Sequence, residues 1–221
     1  MEVQPERLVS WIGTFARRHG AASVSPDEAG SAVTFTAADG SVAECHPPFP
    51  PLSGAAAGCD PATAAQQIVA HAVADRTVGV LLVRLGGYAV GVFSGAPPQL
   101  ASSKAGSRPV HGRSAAGGWS QHRFARRREK QAAIALRAAA DAAAGVFGRY
   151  GADGLDAVVL GGDKRAATVL RSDTRLGPYL DRATERFLTV PDPRLAVLRD
   201  IPSAYLAIRI RLTEAESDSP A

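Results

Sequence analysis

Between roughly Ser120 and Tyr150 the chain repeats apolar residues at helical spacing and contains no proline. With Ala125 as zero and about 100° per residue, Ala132, Leu136, Ala139, Ala143, Val146 and Phe147 fall within about 60° of one direction. Arg123, Arg126, Arg127, Lys130 and Arg137 fall on the other side, at roughly 100–200°. Arg128 departs from the pattern. A helix of this length draws its stability from burying its apolar face, so that face predicts a sheet beneath it. The opposite face shows a basic stripe to solvent.

Charge is concentrated in the same region. From Lys104 to Lys130 there are eight basic residues and a single acid, Glu129, a net of +7 in a chain whose total is +4, so the remainder carries −3. A mildly acidic body with one strongly basic segment points to a localised polyanion contact. Hydrophobic residues make up 46% of the 221, enough for a sizeable core, and aromatics only 6%, so the core leans on Ala, Val and Leu. No stretch approaches the roughly 20 apolar residues of a membrane span. The first residues lack the basic and apolar regions of a secretory signal. The two cysteines, Cys45 and Cys59, make no disulfide framework. These features predict a cytoplasmic protein without a membrane contact, and nothing demands more than a monomer.

Along the chain, residues 5–19 read as a helix, with Pro5 in its first turn and Gly20 at its end. Residues 32–38 and 41–46 read as a hairpin around Asp39-Gly40. A Pro-rich stretch, His46 to Pro51, is a stiff connector, and Asp60 or a neighbour caps a helix from about Pro61 to Val73. Val78–Leu85 and Tyr88–Phe93 form a second hairpin about Gly86-Gly87. Residues 94–120, rich in Gly, Ser, Pro and Ala, read as a long loop, which is functional or disordered in a compact domain. After the long helix come a strand at Asp156–Leu160, a helix at Lys164–Arg171, a helix over roughly Gly177–Arg186, a strand at Phe187–Val190, a short helix to Asp200, and a last strand at Tyr205–Leu212. The order predicts an α/β (α+β) fold: a mixed sheet built from hairpins plus strand–helix units, with the long helix packed on it. The expected regions are 1–74, a helix and hairpin; 75–213, the main domain with its loop at 94–120; and 214–221, a disordered polar tail.

The informative stretch is Gly106 to Lys130. Its Gly112-Arg113-Ser114, Gly117-Gly118-Trp119-Ser120-Gln121 and His122-Arg123-Phe124-Ala125-Arg126-Arg127-Arg128-Glu129 resemble the actinobacterial Vms-like release factors, described as a peptidyl-tRNA hydrolase family. Those are relatives of the catalytic middle domain of the eukaryotic and archaeal class-one release factor. The resemblance covers roughly residues 75–213, including the strand–Gly161-Gly162–helix element. It implies a middle-domain-like (RNase H-like) fold and a catalytic loop of Gly117, Gly118, Trp119 and Ser120 that delivers Gln121 to the ester of peptidyl-tRNA. In the wider superfamily a Gly-Gly-Gln tip enters the peptidyl transferase centre. There the Gln helps to place water, and its backbone N–H stabilises charge on the reacting oxygen. Here Trp119 and Ser120 separate the glycines from the glutamine, a separation the Vms-like branch shares. The implied partners are peptidyl-tRNA and the rRNA of the large ribosomal subunit, with no cofactor and no metal.

The residue types fit that chemistry on their own terms. Glycines allow a backbone to approach RNA closely. Gln121 offers two donors and an acceptor but is a poor base, so it can orient water or stabilise charge. It stands at or near a helix start, where free N–H groups favour anions. His111, Arg113, His122, Arg123, Arg126, Arg127 and Lys130 are placed to hold phosphates, and Trp119 to stack on a base. Two other readings stay open. His111 and His122 could act as acid and base in cleaving the tRNA strand near its CCA end. Alternatively, the basic helix could bind RNA without turnover. Cys45, His46, Cys59 and His71 match no standard zinc spacing. Gly161-Gly162-Asp163-Lys164 lacks a phosphate-loop frame and reads as a tight strand-to-helix turn.

Overall fold

The computed structural model describes residues 1–52, 58–84, 86–107 and 120–215, and for 120–129 the backbone alone. In chain order its elements begin with β1 (Glu2–Val3), α1 (Pro5–His19), β2 (Ala22–Pro26), β3 (Val33–Ala37), β4 (Val42–His46), α2 (Pro61–Ala72), β5 (Val78–Arg84) and β6 (Gly87–Ser94). Then follow β7 (Gln99–Ser107), α3 (Ser120–Phe147), β8 (Ala157–Gly162), α4 (Lys164–Arg171), α5 (Gly177–Leu180), β9 (Ala183–Leu188), α6 (Leu195–Leu206) and β10 (Ile208–Thr213). They form two compact units, Met1–Ala74 with Ser203–Ala221, and Asp75–Pro202.

The first unit is an antiparallel sheet in the order β1-β10-β4-β3-β2. Strand alternation turns Val33, Phe35, Ala37, Ala43, Cys45, Ile208 and Ile210 to one side, where they join Leu8, Ile12 and Phe15 of α1 and Ala64, Ile68 and Ala72 of α2 in one core. Pro5 occupies the first turn of α1, and the Asp60 carboxylate accepts from the Thr63 N–H at 2.9 Å to cap α2. Val42, Glu44 and His46 of β4 point the other way. His46 there lies 3.3 Å from Glu44, while the buried Cys45 thiol is pushed up to about 12 by desolvation, so the two neighbours in the considered zinc set share no face. His71 meets the Phe49 carbonyl at 2.9 Å.

The second unit has a sheet in the order β7-β6-β5-β8-β9. β5, β6 and β7 form an antiparallel meander, and β8 and β9 extend it in parallel on the far side of β5. This is the strand order of an RNase H-like sheet. Central strands covered on both faces read as unbroken apolar runs, and Val78–Val83 is buried throughout. One face carries α3, α4 and α5 through Ala139, Ala143, Val146, Phe147, Leu170 and Leu180. On the other face Gly91 leaves room for Leu198 of α6, since a Cβ there would stand 3.0 Å from Leu198 Cδ2. An Arg175 fork fixes α3 to the turn after α4: it grips Asp173 at 2.7 and 3.0 Å and reaches Asp141 of α3 at 2.8 Å.

Several expectations change. The two hairpins lie in separate sheets, and the last strand, expected within the 75–213 region, pairs with β4 of the first unit. A third of the expected 94–120 loop is β7, a strand whose polar, small residues gave no apolar alternation because it lies at the sheet edge. The helix expected over 177–186 stops at Leu180, and β9 begins at Ala183. α6 runs through Pro202 to Leu206 rather than ending near Asp200. β1 and β2 were not expected; both are short edge strands. Of the 214–221 tail, Ala215 donates to the Ser41 hydroxyl at 3.1 Å, and 216–221 lie outside the described residues.

Two predictions test this packing. Gly162 ends β8 at φ +105°, and a Cβ there would stand 2.2 Å from the Val83 carbonyl oxygen. Gly162→Ala is expected to cost about 3 kcal/mol, read by urea denaturation. The Arg175 hydrogen bonds hold the Asp173 carboxyl below its ordinary value. Its contribution is therefore present above the ordinary carboxylate range and is lost as pH falls through the depressed folded value. Arg175→Gln should move the Asp173 titration upward in carboxyl NMR and remove that acid-side dependence.

Candidate functional site

The carboxyl edge of the central strands gathers the ends that matter. β5 and β8 run in register from Val78↔Ala157 to Val83↔Gly162, so Arg84 and Gly162 end together. Gly87 faces Arg84 on one side and Ser107 on the other, which brings the end of β7 to the same edge. The Asp163 N–H donates to the Val83 carbonyl at 2.8 Å, and the Asp163 carboxylate then accepts from the N–H groups of Arg165 and Ala166 to start α4. The Gly161-Gly162 segment is thus the tight strand-to-helix turn expected of it. Ser107 is the last described residue before the Gly117–Gln121 segment, and α3 begins at Ser120.

α3 is anchored at its far end. The Phe147 ring lies against Gly79, near the amino end of β5. The helix has 28 residues, about 42 Å, whereas the longest strand of the sheet, β7, has nine, about 30 Å. The helix is therefore about 12 Å longer than the longest strand it packs against. Burial agrees: among the described side chains of α3, Ala135 is the first that is buried, and Lys130 is exposed. The expected inward positions Ala139, Ala143, Val146 and Phe147 are all in the core, and Arg137 is exposed opposite them.

The start of α3 has an unusual electrostatic character. The first N–H groups of a helix lack intrahelical partners and carry about half a positive charge. Acidic residues commonly offset that charge, yet the first turn of α3 contains none. The sequence instead places His122, Arg123, Arg126, Arg127 and Arg128 in the first nine residues of the helix. Each cation near a positive helix end costs about 0.3–1 kcal/mol unless an anion answers it.

Of the residues expected to act, Ser120, Gln121, His122, Arg123, Arg126 and Arg127 have their backbone in the first turns of α3. Lys130 follows within the next turn of the same helix. His111, Arg113, Gly117, Gly118 and Trp119 lie outside the described residues. Two cations not assigned a role in the sequence stand at the carboxyl edge. Arg84 ends β5 and donates to the Val190 carbonyl at 3.1 Å, and Lys164 opens α4 with its ammonium 5.9 Å from the Phe187 ring centroid. Their signal was positional, a basic residue at the end of a buried strand or just beyond it. Among the described residues no group of three or more His, Cys, Asp or Glu side chains could hold a metal ion. No described helix is long and apolar enough to cross a membrane.

No curated protein matches the chain. Among solved structures, the crystal structure of the archaeal translation termination factor aRF1 is 14% identical, with a TM-score of 0.42, over 93% of this chain and 65% of that one. A second, described only as an archaeal protein, is 14% identical with a TM-score of 0.39, over 90% of this chain and 62% of that one. The chain thus spans less than two thirds of the length of either. The family model described as Actinobacteria/chloroflexi VLRF1 release factor matches residues 76–211, from the start of β5 into β10 and through all of α3. That match covers more than half of the sequence, and the chain belongs to the Actinobacteria/chloroflexi VLRF1 release factor family.

Proposed function

We propose that this protein is a peptidyl-tRNA hydrolase that frees nascent chains from tRNA on stalled or obstructed ribosomes. The observation that carries the reading is the sequence at the start of α3, where Gln121 and a run of cations occupy the first turns of a helix whose first turn holds no acid to offset its positive end. An anionic partner relieves the cost of that arrangement, and RNA is the polyanion that a release-factor family member meets.

In this reading Gly117, Gly118, Trp119 and Ser120 form the tip that presents Gln121 to the ester bond. The Gln121 amide orients the attacking water and stabilises charge on the reacting oxygen. It does not remove the proton, because a neutral amide is too weak a base. Free N–H groups at the helix start add favourable field to the developing oxyanion. His111, Arg113, His122, Arg123, Arg126, Arg127 and Lys130 hold tRNA and large-subunit rRNA through phosphates. The protein works as a monomer in the cytoplasm, without a cofactor, as a factor of ribosome rescue and quality control.

The test is single-turnover release from large-subunit–peptidyl-tRNA complexes. Gln121→Ala is expected to slow release by about 10²-fold or more with binding retained. Undiminished release by that variant rejects the assignment. The 3′ end of the freed tRNA should keep its CCA, as ester hydrolysis requires; a shortened end would instead mark strand cleavage. If charge reversal at Arg126 and Arg127 abolished every effect while Gln121→Ala did nothing, the protein would be a non-catalytic RNA-binding module.

A further inference from the structure

Proteins blunt the free edges of their sheets, because an exposed row of backbone N–H and C=O groups pairs with any extended chain. Three of the four edges of the two described sheets are blunted. β1 has two residues. β2 ends at Pro26, and its Val24 carbonyl accepts from the Gly58 N–H at 3.0 Å. β9 pairs in a broken register and carries Glu185 and Arg186. β7 is the exception. It has nine residues, no proline, and a regular register from Ser102 to Ser107.

The outward groups of β7 can be named. A Cβ on Gly91 would stand 3.1 Å from the Ser102 carbonyl oxygen, and one on Gly87 would stand 3.3 Å from that of Gly106. Ser102 and Gly106 therefore turn their backbone groups toward β6. Antiparallel pairing alternates, so Lys104 does the same, while Ser103, Ala105 and Ser107 turn theirs away from the sheet. These three residues are exposed. Among the described residues no hydrogen bond reaches their outward N–H or C=O groups. The groups repeat every two residues, about 7 Å, which is the spacing of another extended backbone.

Two cations flank this row. Lys104 and Ser102 pair with Val90 and Val92, which belong to the core beneath α3, so both side chains leave β7 on the α3 face. Arg149, just past the end of α3, donates to the Ser102 hydroxyl at 3.4 Å. Lys104 and Arg149 are exposed, and among the described residues neither has a carboxylate within ion-pair distance. Charge is also divided between the units. Asp75–Pro202 contains 20 basic and 11 acidic residues, a net of +9, whereas the other unit has 5 and 10, a net of −5.

We propose that β7 accepts an antiparallel added strand from a protein partner, an extended acidic segment whose carboxylates, two residues apart, meet Arg149 and Lys104. Backbone pairing supplies the contact. The small side chains of β7 impose little shape on the partner, so charge selects it. RNA suits the two cations but not the edge, because half of the outward groups are carbonyl oxygens that repel phosphate. A second copy of β7 would bring another unit of net +9 alongside the first. The proposal stands independently of the release reading.

The experiment uses the full chain and a fluorescein-labelled peptide of alternating valine and glutamate, with affinity read by anisotropy and amide exchange by NMR. In the free protein the Ser103 and Ala105 amides should exchange fast, while those of Ser102 and Lys104 are protected by β6. The peptide should slow Ser103 and Ala105. Glutamates opposite Ser102 and Lys104 leave the valines opposite Ser103 and Ala105 to make the hydrogen bonds. N-methyl groups on the valines should therefore abolish binding, and N-methyl groups on the glutamates should leave it intact. Lysine in place of glutamate should also abolish it. Lys104→Glu should weaken binding about fivefold, with matched melting curves to confirm folding. Absence of peptide protection at Ser103 and Ala105 overturns the proposal, as does their protection already in the free monomer. Protection that grows with protein concentration alongside a dimer in ultracentrifugation would mark a second copy instead. Loss of affinity for a short RNA duplex in Lys104→Glu, with both N-methylated peptides bound as well as the parent, would mark an RNA contact.

Discussion

An α-helix that carries its cations at its positive end is held against its own electrostatics, and the second unit is arranged around that conflict. The cost is a few tenths to one kcal/mol for each charge in the first turns. The far half of α3 offsets it. Ala139, Ala140, Ala142, Ala143, Val146 and Phe147 are all buried against the sheet, and Arg175 ties Asp141 to the following turn. Burial of that kind contributes about 25 cal/mol for each Å² of apolar surface, so a few such side chains outweigh the local repulsion.

The topology decides where that start lies. Because β8 is parallel to β5, and β7 returns antiparallel to β6, the ends of β5, β7 and β8 meet at one edge. In open sheets with parallel central strands, ligands gather at the carboxyl ends, where the order of connections reverses. Here the reversal falls between β5, which turns into the meander, and β8, which passes into α4. The ends of β5, β7 and β8 thus converge on the edge from which Ser107 leads into residues 108–119. Gly162 has a share in this: its positive φ and its contact with the Val83 carbonyl let the chain leave β8 sharply enough to start α4.

Much of this was legible in the sequence where one physical signal dominated. The face of α3 was readable because an Ala, Leu, Val and Phe stripe repeats at helical spacing. The burial of Val78–Val83 was readable because a strand covered on both sides needs no polar alternation. The Asp60 cap and the Asp39-Gly40 turn follow from local hydrogen bonding and φ. What escaped were elements defined by their neighbours. β7 is a strand because β6 offers it a backbone ladder, and its Ser, Ala, Gly and Lys residues give no period of their own. β10 belongs with β4 through pairing between residues more than 160 positions apart, which no local pattern encodes. For the Gly117–Gln121 segment the position is different: its motif was legible as a resemblance, and its glycines and tryptophan lie outside the described residues.

The division of charge bears on how such a protein finds its target. A uniformly basic chain would bind any RNA in any orientation, with affinity set by the number of phosphates it covers. Here a net +9 belongs to the unit that bears α3 and α4, and the other unit carries −5. Toward a polyanion the acidic unit is repelled as the basic one is attracted. The repulsion operates over about a Debye length, roughly 8 Å at physiological ionic strength. That range is shorter than the roughly 42 Å of α3, so steering acts in the last steps of approach. Orientation is then selected before any specific contact forms, because the basic unit gains and the acidic unit loses as either nears the phosphates.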